Sequence, residues 1–260
     1  MVVSGANNVQ RNRILAALSN ADLALLQPHL QRVPLKFRQR LHSPNRQIRQ
    51  VYFPDSGIAS VVAVSAGERR NAEIGIVGLD GMTGLPIIHG ADCSPCDTFV
   101  QVEGEGQCIA AKDLWQAMDE SATMRKCFLR YAHVFAMQTG YTALANARGN
   151  IEERLARWLL MTHDRMDGDK LGLTHEFISL MLGVRRAGVT GALQGFEAKG
   201  LIERARSSVI LKDRDGLVEV ANGLYGPPEA EFKRLFPYGQ PHPTLVSKRR
   251  GLPLRERKQR

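Results

Sequence analysis

Apolar positions change their period several times along the chain. Between residues 11 and 30, Ile14, Leu15 and Leu18 are followed by Leu25 and Leu26, with Ser19-Asn20 between them. Ser and Asn favour helix caps, so the spacing predicts a short helical lead-in. From Gln50 to Ala111 the texture becomes short runs of Val, Ile and Phe. These are separated by Pro54-Asp55-Ser56-Gly57, Ala66-Gly67, Leu79-Asp80-Gly81 and Glu103-Gly104. Short runs between turn formers predict several strands in a β-roll or barrel.

After Lys112-Asp113 the period is helical. Met124, Phe128, Tyr131, Phe135, Gln138, Thr142 and Ala145 fall at 4-3-4-3-4-3 spacing, the signature of a heptad seam. A second stripe, Val134, Met137, Tyr141 and Leu144, lies on another face. One helix would then touch both its own β domain and a partner helix. The seam is read as a dimer contact, and a core helix with two apolar faces is the alternative.

Gly149-Asn150 interrupts this run and suggests a hinge. Asn150 is placed to cap Ile151-Glu152-Glu153, whose acids suit a helix N-terminus. Residues 151–166 form an amphipathic pattern through Leu155, Trp158, Leu159 and Thr162, ending at Asp167-Gly168-Asp169. Thr174 can cap a helix through Met181, Gly183 supplies a turn, and a second helix runs from Arg185 to about Lys199 before Gly200. Its apolar face is Val189, Ala192, Leu193 and Phe196; its other face carries Arg185, Arg186, Thr190 and Gln194. Leu201–Arg206 and Val209–Leu211 read as two strands around Ser207-Ser208, a wing bearing Arg204 and Arg206. A helix, a glycine turn and a helix with polar groups at its N-terminal end is the arrangement that enters the DNA major groove. Arginine there pairs with guanine or phosphate.

Charge adds less than its total suggests. The net charge of +9 comes from the ends: residues 1–50 carry +7 and 226–260 carry +6, while 51–150 carry −4 and 151–225 are neutral. Nucleic-acid binding is therefore argued from spacing and placed arginines. Lys248–Arg260 holds seven basic residues and one acid without periodicity, a run that suits salt-dependent, non-specific DNA affinity. The 260 residues, 43% of them hydrophobic, suffice for two packed domains. Apolar runs such as Ile58–Val64 are too short for a membrane span and no signal-peptide core appears, so a cytoplasmic protein without membrane contact is expected.

Ile151-Glu152-Glu153-Arg154-Leu155-Ala156, Leu173-Thr174-His175-Glu176, Leu182 through Val189 and Glu197 through Ile202 resemble the CRP/FNR family of bacterial transcription regulators. The resemblance runs from about Gln50 to Gly223. It implies an α+β fold: an N-terminal cyclic-nucleotide-binding-like β-roll, a long dimerisation helix and a C-terminal winged helix-turn-helix. The corresponding division is a sensor domain at 11–112, linking helices at 113–149, a DNA-binding domain at 150–223 and a basic tail at 224–260. The implied partners are a palindromic DNA operator and a second copy of the chain, with RNA polymerase as a further candidate. Expected DNA contacts are Thr174, His175, Arg185, Arg186, Gly188, Thr190, Gly191, Gln194, Arg204 and Arg206.

The chain departs from the family where ligand and operator are read. Family members that respond to a cyclic nucleotide carry Gly-Glu-Leu and then Arg-Ser or Arg-Thr; the comparable stretches here are Gly84-Leu85-Pro86 and Pro95-Cys96-Asp97-Thr98. Without the cation a buried phosphate is unpaired, so cyclic AMP is not expected to bind. Arg186 stands where the family reads guanine, but the following acid is replaced by Ala187 and the later arginine by Gly191. Gly188, Gly191 and Gly195 share one helix face, either a bare surface for close DNA approach or simply a weak helix. Cys93-x-x-Cys96 lacks a second pair for zinc, and Cys108 and Cys127 are scattered, so reduced thiols and no metal or cofactor are expected. No HExxH, Gly-x-Ser-x-Gly, P-loop or Rossmann motif appears, and no catalytic residue is assigned. Two other functions compete: a ligand- or redox-sensing module with DNA binding as its output, and a nucleic-acid-binding protein without sequence preference.

Overall fold

The computed structural model describes residues 10–65, 71–206 and 208–237. The Ala66-Gly67 turn, Ser207 and the basic Lys248–Arg260 run lie outside them.

The lead-in is two short helices, α1 (Arg13–Ala16) and α2 (Asn20–Leu26). Ser19 caps α2 as expected. Asn12 caps α1, and its amide nitrogen donates to the carbonyls of Pro54 and Gly81, both at 2.8 Å. The cap residue is thus also the anchor onto the β domain.

Seven strands build that domain: β1 (Gln31–Leu35), β2 (Arg40–His42), β3 (Gln50–Pro54), β4 (Ile58–Ala63), β5 (Ala72–Val77), β6 (Cys96–Val102) and β7 (Gly104–Ala110). They form two antiparallel sheets, ordered β1-β7-β3 and β2-β6-β4-β5. The first two strands precede the segment where strands were expected; in β1 only Leu35 is buried, so no alternation marks it. A short helix α3 (Leu85–Ile88) closes one end. Phe53, Val77, Met82, Ile109 and Phe128 share the core of this roll.

Helix α4 (Ala111–Glu120) leads through the cap Ser121 into α5 (Ala122–Arg148), 27 residues long. The expected dimer seam is corrected here. Met124, Phe128, Tyr131, Phe135, Gln138 and Ala145 are all buried within the single chain. Thr142 donates back to the Gln138 carbonyl. Gln138 Oε1 accepts from the Ile76 amide at 2.7 Å, so the seam is consumed by β5. The heptad pattern recorded contact with the chain's own sheet, which demands the same periodic apolar face as a partner helix would.

The C-terminal domain comprises α6 (Ile151–His163), β8 (Lys170–Leu171), α7 (His175–Leu182), α8 (Arg186–Ala198), β9 (Ile202–Ala205), β10 (Ser208–Leu211) and α9 (Arg214–Val220). Its sheet runs β8-β10-β9. Asn150 and Glu153 form the capping box of α6. A final helix, α10 (Pro227–Leu235), corrects the assignment of 224–260 as a tail. Phe232 and Phe236 stack at 4.8 Å and join the core of the roll, so the chain returns to α5 after the winged helix.

Candidate nucleic-acid interface

Thr174 Oγ1 accepts from the Phe177 amide at 3.2 Å and starts α7; Gly183, at φ 62°, ends it in the left-handed region that glycine enters without strain. The turn is short because Arg185 already occupies the N-cap position of α8. Val189, Ala192, Leu193 and Phe196 are buried against α6 and the small sheet, which fixes the rotation of α8. The opposite face is therefore presented outward. Arg185, Arg186, Gly191 and Gln194 are exposed, Gly188, Thr190 and His175 are half-buried, and Thr174 is exposed. Neither Arg185 nor Arg186 makes an ion pair among the described residues.

The wing arginines differ from each other. Arg204 is tied to Glu197 of α8 at 2.6 Å and holds that carboxyl below its ordinary range. It braces the wing against the recognition helix, a different task from the free DNA contact expected of it. Arg206, at the tip between β9 and β10, is exposed.

The three glycines of α8 also separate. A Cβ on Gly188 would come within 2.9 Å of Ile151 Cδ1, the tip of a side chain on α6. Gly195 looks toward Glu152, and Gly191 alone opens onto free space.

Behind this surface, the domain is docked on the outer face of the β2-β6-β4-β5 sheet. Trp158 Nε1 donates to Glu73 Oε1 at 2.8 Å, and Ser60 Oγ lies 2.7 Å from Glu73 Oε2 and 2.5 Å from Gln101 Oε1. Met181 of α7 closes the same cluster, its sulfur 3.5 Å from Ser60 Oγ. Burial pushes the Glu73 carboxyl up to about 7. Nearby, Arg165 pairs with Asp80 at 2.7 Å with the arginine side chain only 6% exposed, and its stem lies against Gly78. Arg157, buried as well, donates to the carbonyls of Leu224 and Gln138. Trp158 was read as part of an amphipathic face, Gln138 as a seam position, Met181 as a helix position and Asp80 as a turn residue, whereas Glu73, Ser60, Gln101, Arg157 and Arg165 were not singled out from sequence. A carboxylate within a strand beginning Ala72-Glu73-Ile74 was the available signal.

Helix α5 packs closely on the roll at two glycines. A Cβ on Gly75 would meet Gln138 and Phe135, and one on Gly81 would meet the Tyr131 hydroxyl, all within 3 Å. Asp97, at the position that the family resemblance assigns to the phosphate-binding cation, pairs with Arg40 at 3.0 Å.

Residues 153–220 match the family model of the Crp-like helix-turn-helix domain. The C-terminal domain is a Crp-like helix-turn-helix, on a CRP/FNR fold. The fold is shared with a putative CRP/FNR-family transcriptional regulator from Eubacterium rectale, at TM-score 0.61 and 19% identity, over 79% of this chain and 96% of that one. FixK2 from Bradyrhizobium japonicum superposes with TM-score 0.64 and 14% identity over 74% of this chain and 96% of its own. The c-di-GMP-responsive regulator CLP of Xanthomonas campestris gives TM-score 0.58 and 17% identity over 74% and 99%. No curated protein sequence matches the chain significantly. Like those structures, this chain joins a cyclic-nucleotide-binding-like roll to its helix-turn-helix through a long helix.

No helix among the described residues is long and apolar enough to cross a membrane. Among the same residues, no group of three or more His, Cys, Asp or Glu side chains is placed to hold a metal, and the four cysteines are unpaired. Cys93 is exposed, Cys96 lies at the start of β6, and burial pushes Cys127 up to about 11.

Proposed function

We propose that the protein is a homodimeric, sequence-specific DNA-binding transcription regulator, acting in the cytoplasm without an enzymatic activity of its own. The observation that carries this reading is the outward face of α8, where Arg185, Arg186 and Gln194 project from a helix whose opposite face is buried. An N-terminal arginine pair beside Gly191, where no side chain stands in the way, suits entry into the major groove. Arg206 at the wing tip supplies a phosphate contact on the flanking backbone.

The dimer face is assigned to the exposed side of α5. Leu129, His133, Ala136, Gly140, Ala143 and Ala147 are exposed and recur at 4-3-4-3-4 spacing. Leu129 is 46% and neighbouring Leu144 43% exposed. Small residues at this spacing let two helices approach closely, and a two-fold dimer would place half-sites about one helical turn apart.

Cyclic AMP is excluded as effector in this reading. The stretch comparable to the family's Arg-Ser or Arg-Thr carries no cation of its own, and Tyr131, Phe135 and Gln138 pack directly against Gly75 and Gly81. RNA polymerase remains a partner to be tested by reconstituted transcription.

Selection of bound duplexes from randomised DNA by the full chain tests the proposal. An enriched two-fold motif is the expected result. Equal affinity for random DNA would replace it with the non-specific alternative.

A further inference from the structure

His175 begins α7, the helix that crosses the DNA backbone in a helix-turn-helix. Its Nδ1 lies 3.1 Å from Thr190 Oγ1 of α8, and Thr190 Oγ1 lies 3.1 Å from the carbonyl oxygen of Arg186. A carbonyl has no proton to give, so the threonine hydroxyl donates to it and is left with lone pairs only. Both contacts are hydrogen bonds when, and only when, His175 Nδ1 carries a proton and donates to Thr190. The ring is thereby pinned across the two helices, and among the described residues Nε2 is the nitrogen left without a partner. Neutral, it offers a lone pair; protonated, it offers an N–H.

Burial, with Arg204 of β9 and Arg186 of α8 alongside, holds the imidazole below its ordinary value of 6.5. Those two arginines are the charged groups facing the ring from the neighbouring elements. The free protein therefore carries a neutral ring, with a lone pair on Nε2, near neutral pH. A phosphate oxygen also has only lone pairs, so this ring and a phosphate repel unless a proton is added.

We propose that His175 is a proton-dependent phosphate contact: docking on duplex DNA draws one proton from solvent onto Nε2, which then donates to a backbone phosphate oxygen. The inference rests on the DNA-binding reading above. The phosphates offset the field of Arg186 and Arg204 and favour the imidazolium, so the bound-state pKa lies above the free-state one. Between those two values, affinity falls as pH rises, by up to about tenfold per pH unit for each subunit engaged.

The test is the affinity of the full chain, at fixed salt between pH 5.5 and 8, for a duplex recovered from the randomised pool and for a random-sequence duplex. Wild-type protein should weaken with rising pH on both, because a phosphate contact carries no sequence information. His175→Gln should bind with a flatter profile, and the difference between the two slopes isolates this residue from the other histidines. DNA binding with identical pH profiles in the two proteins overturns this inference alone. No DNA binding at any pH overturns the functional reading and this inference with it. Nitrogen-15 spectra of the histidine-labelled free protein give a measurement independent of the variant: Nδ1–H for His175 is expected, and Nε2–H overturns the proposal.

Discussion

Trp158, on α6, donates its indole N–H to Glu73, on β5, at 2.8 Å. Both are buried, and the same carboxyl meets Ser60 on its other oxygen. Ser60 has one hydroxyl proton, and Gln101 Nε2 is buried without a partner; with the Gln101 amide turned so that this nitrogen donates to Ser60, the hydroxyl donates to Glu73 and the set is complete. The junction between the two domains includes a carboxyl that burial pushes up to about 7.

The pH dependence of stability follows with a definite sign. Glu73 is raised from an ordinary value of 4.5 to about 7 in the folded chain, so the folded state binds more protons than the unfolded state between those values. Its contribution is full below about pH 4.5 and is lost as pH rises toward about 7, by at most on the order of 3 kcal/mol. Glu73→Gln cannot ionise and should flatten that part of the profile. Urea unfolding at pH 5, 6, 7 and 8 measures it, and an unchanged slope in the variant refutes the assignment.

Asp80→Ala leaves the Arg165 guanidinium, 6% exposed, without its carboxylate. An uncompensated buried charge costs about 3–5 kcal/mol. Asp167→Ala removes a pair with Arg11 whose side chains are 51% and 74% exposed, and should cost under about 1 kcal/mol. The two variants compared by chemical denaturation distinguish a buried interdomain tie from a surface pair.

The two faces of α5 make opposite predictions. Gly140→Glu places a charge on the exposed face, where a side chain meets nothing within the chain, and should yield a folded monomer. Gln138→Ala deletes both contacts to Ile76 and should cost about 1–3 kcal/mol while leaving the oligomer intact. Light scattering after gel filtration reads the first, thermal unfolding the second.

On α8, Arg186→Ala should weaken operator binding by about 1–3 kcal/mol and relax selection at one base pair per half-site. Gly191→Arg has open space around its Cβ and should change the preferred site without loss of stability. Gly188→Ala meets only the movable tip of Ile151 and replaces a glycine inside a helix, so it should be neutral or stabilising by up to about 1 kcal/mol. Selection from randomised DNA and thermal melts together separate these outcomes.

The helix-turn-helix was legible because its determinants are local. Thr174, Gly183 and the apolar positions of α8 act within a few residues of one another, so capping, turn and rotation follow from spacing alone. The same holds for Asn150 and Glu153. The outward exposure of Arg185 and Arg186 followed directly, because the buried stripe of a helix fixes its other side.

What spacing left open was decided by contacts between segments far apart in the chain. A heptad stripe specifies an apolar face but not its occupant, and only the position of β5 assigned Gln138 to Ile76 and freed the Ala136–Gly140 side. Arg204 was one arginine among several until Glu197 came within reach, and Gly188 a bare position until Ile151 packed on it. Glu73 looked like an ordinary strand acid; its raised pKa comes from burial beneath a helix whose Trp158 lies 85 residues away in sequence. Periodicity along one segment encodes which side is covered, whereas the identity of the cover, and with it the protonation and freedom of each group, comes from long-range packing.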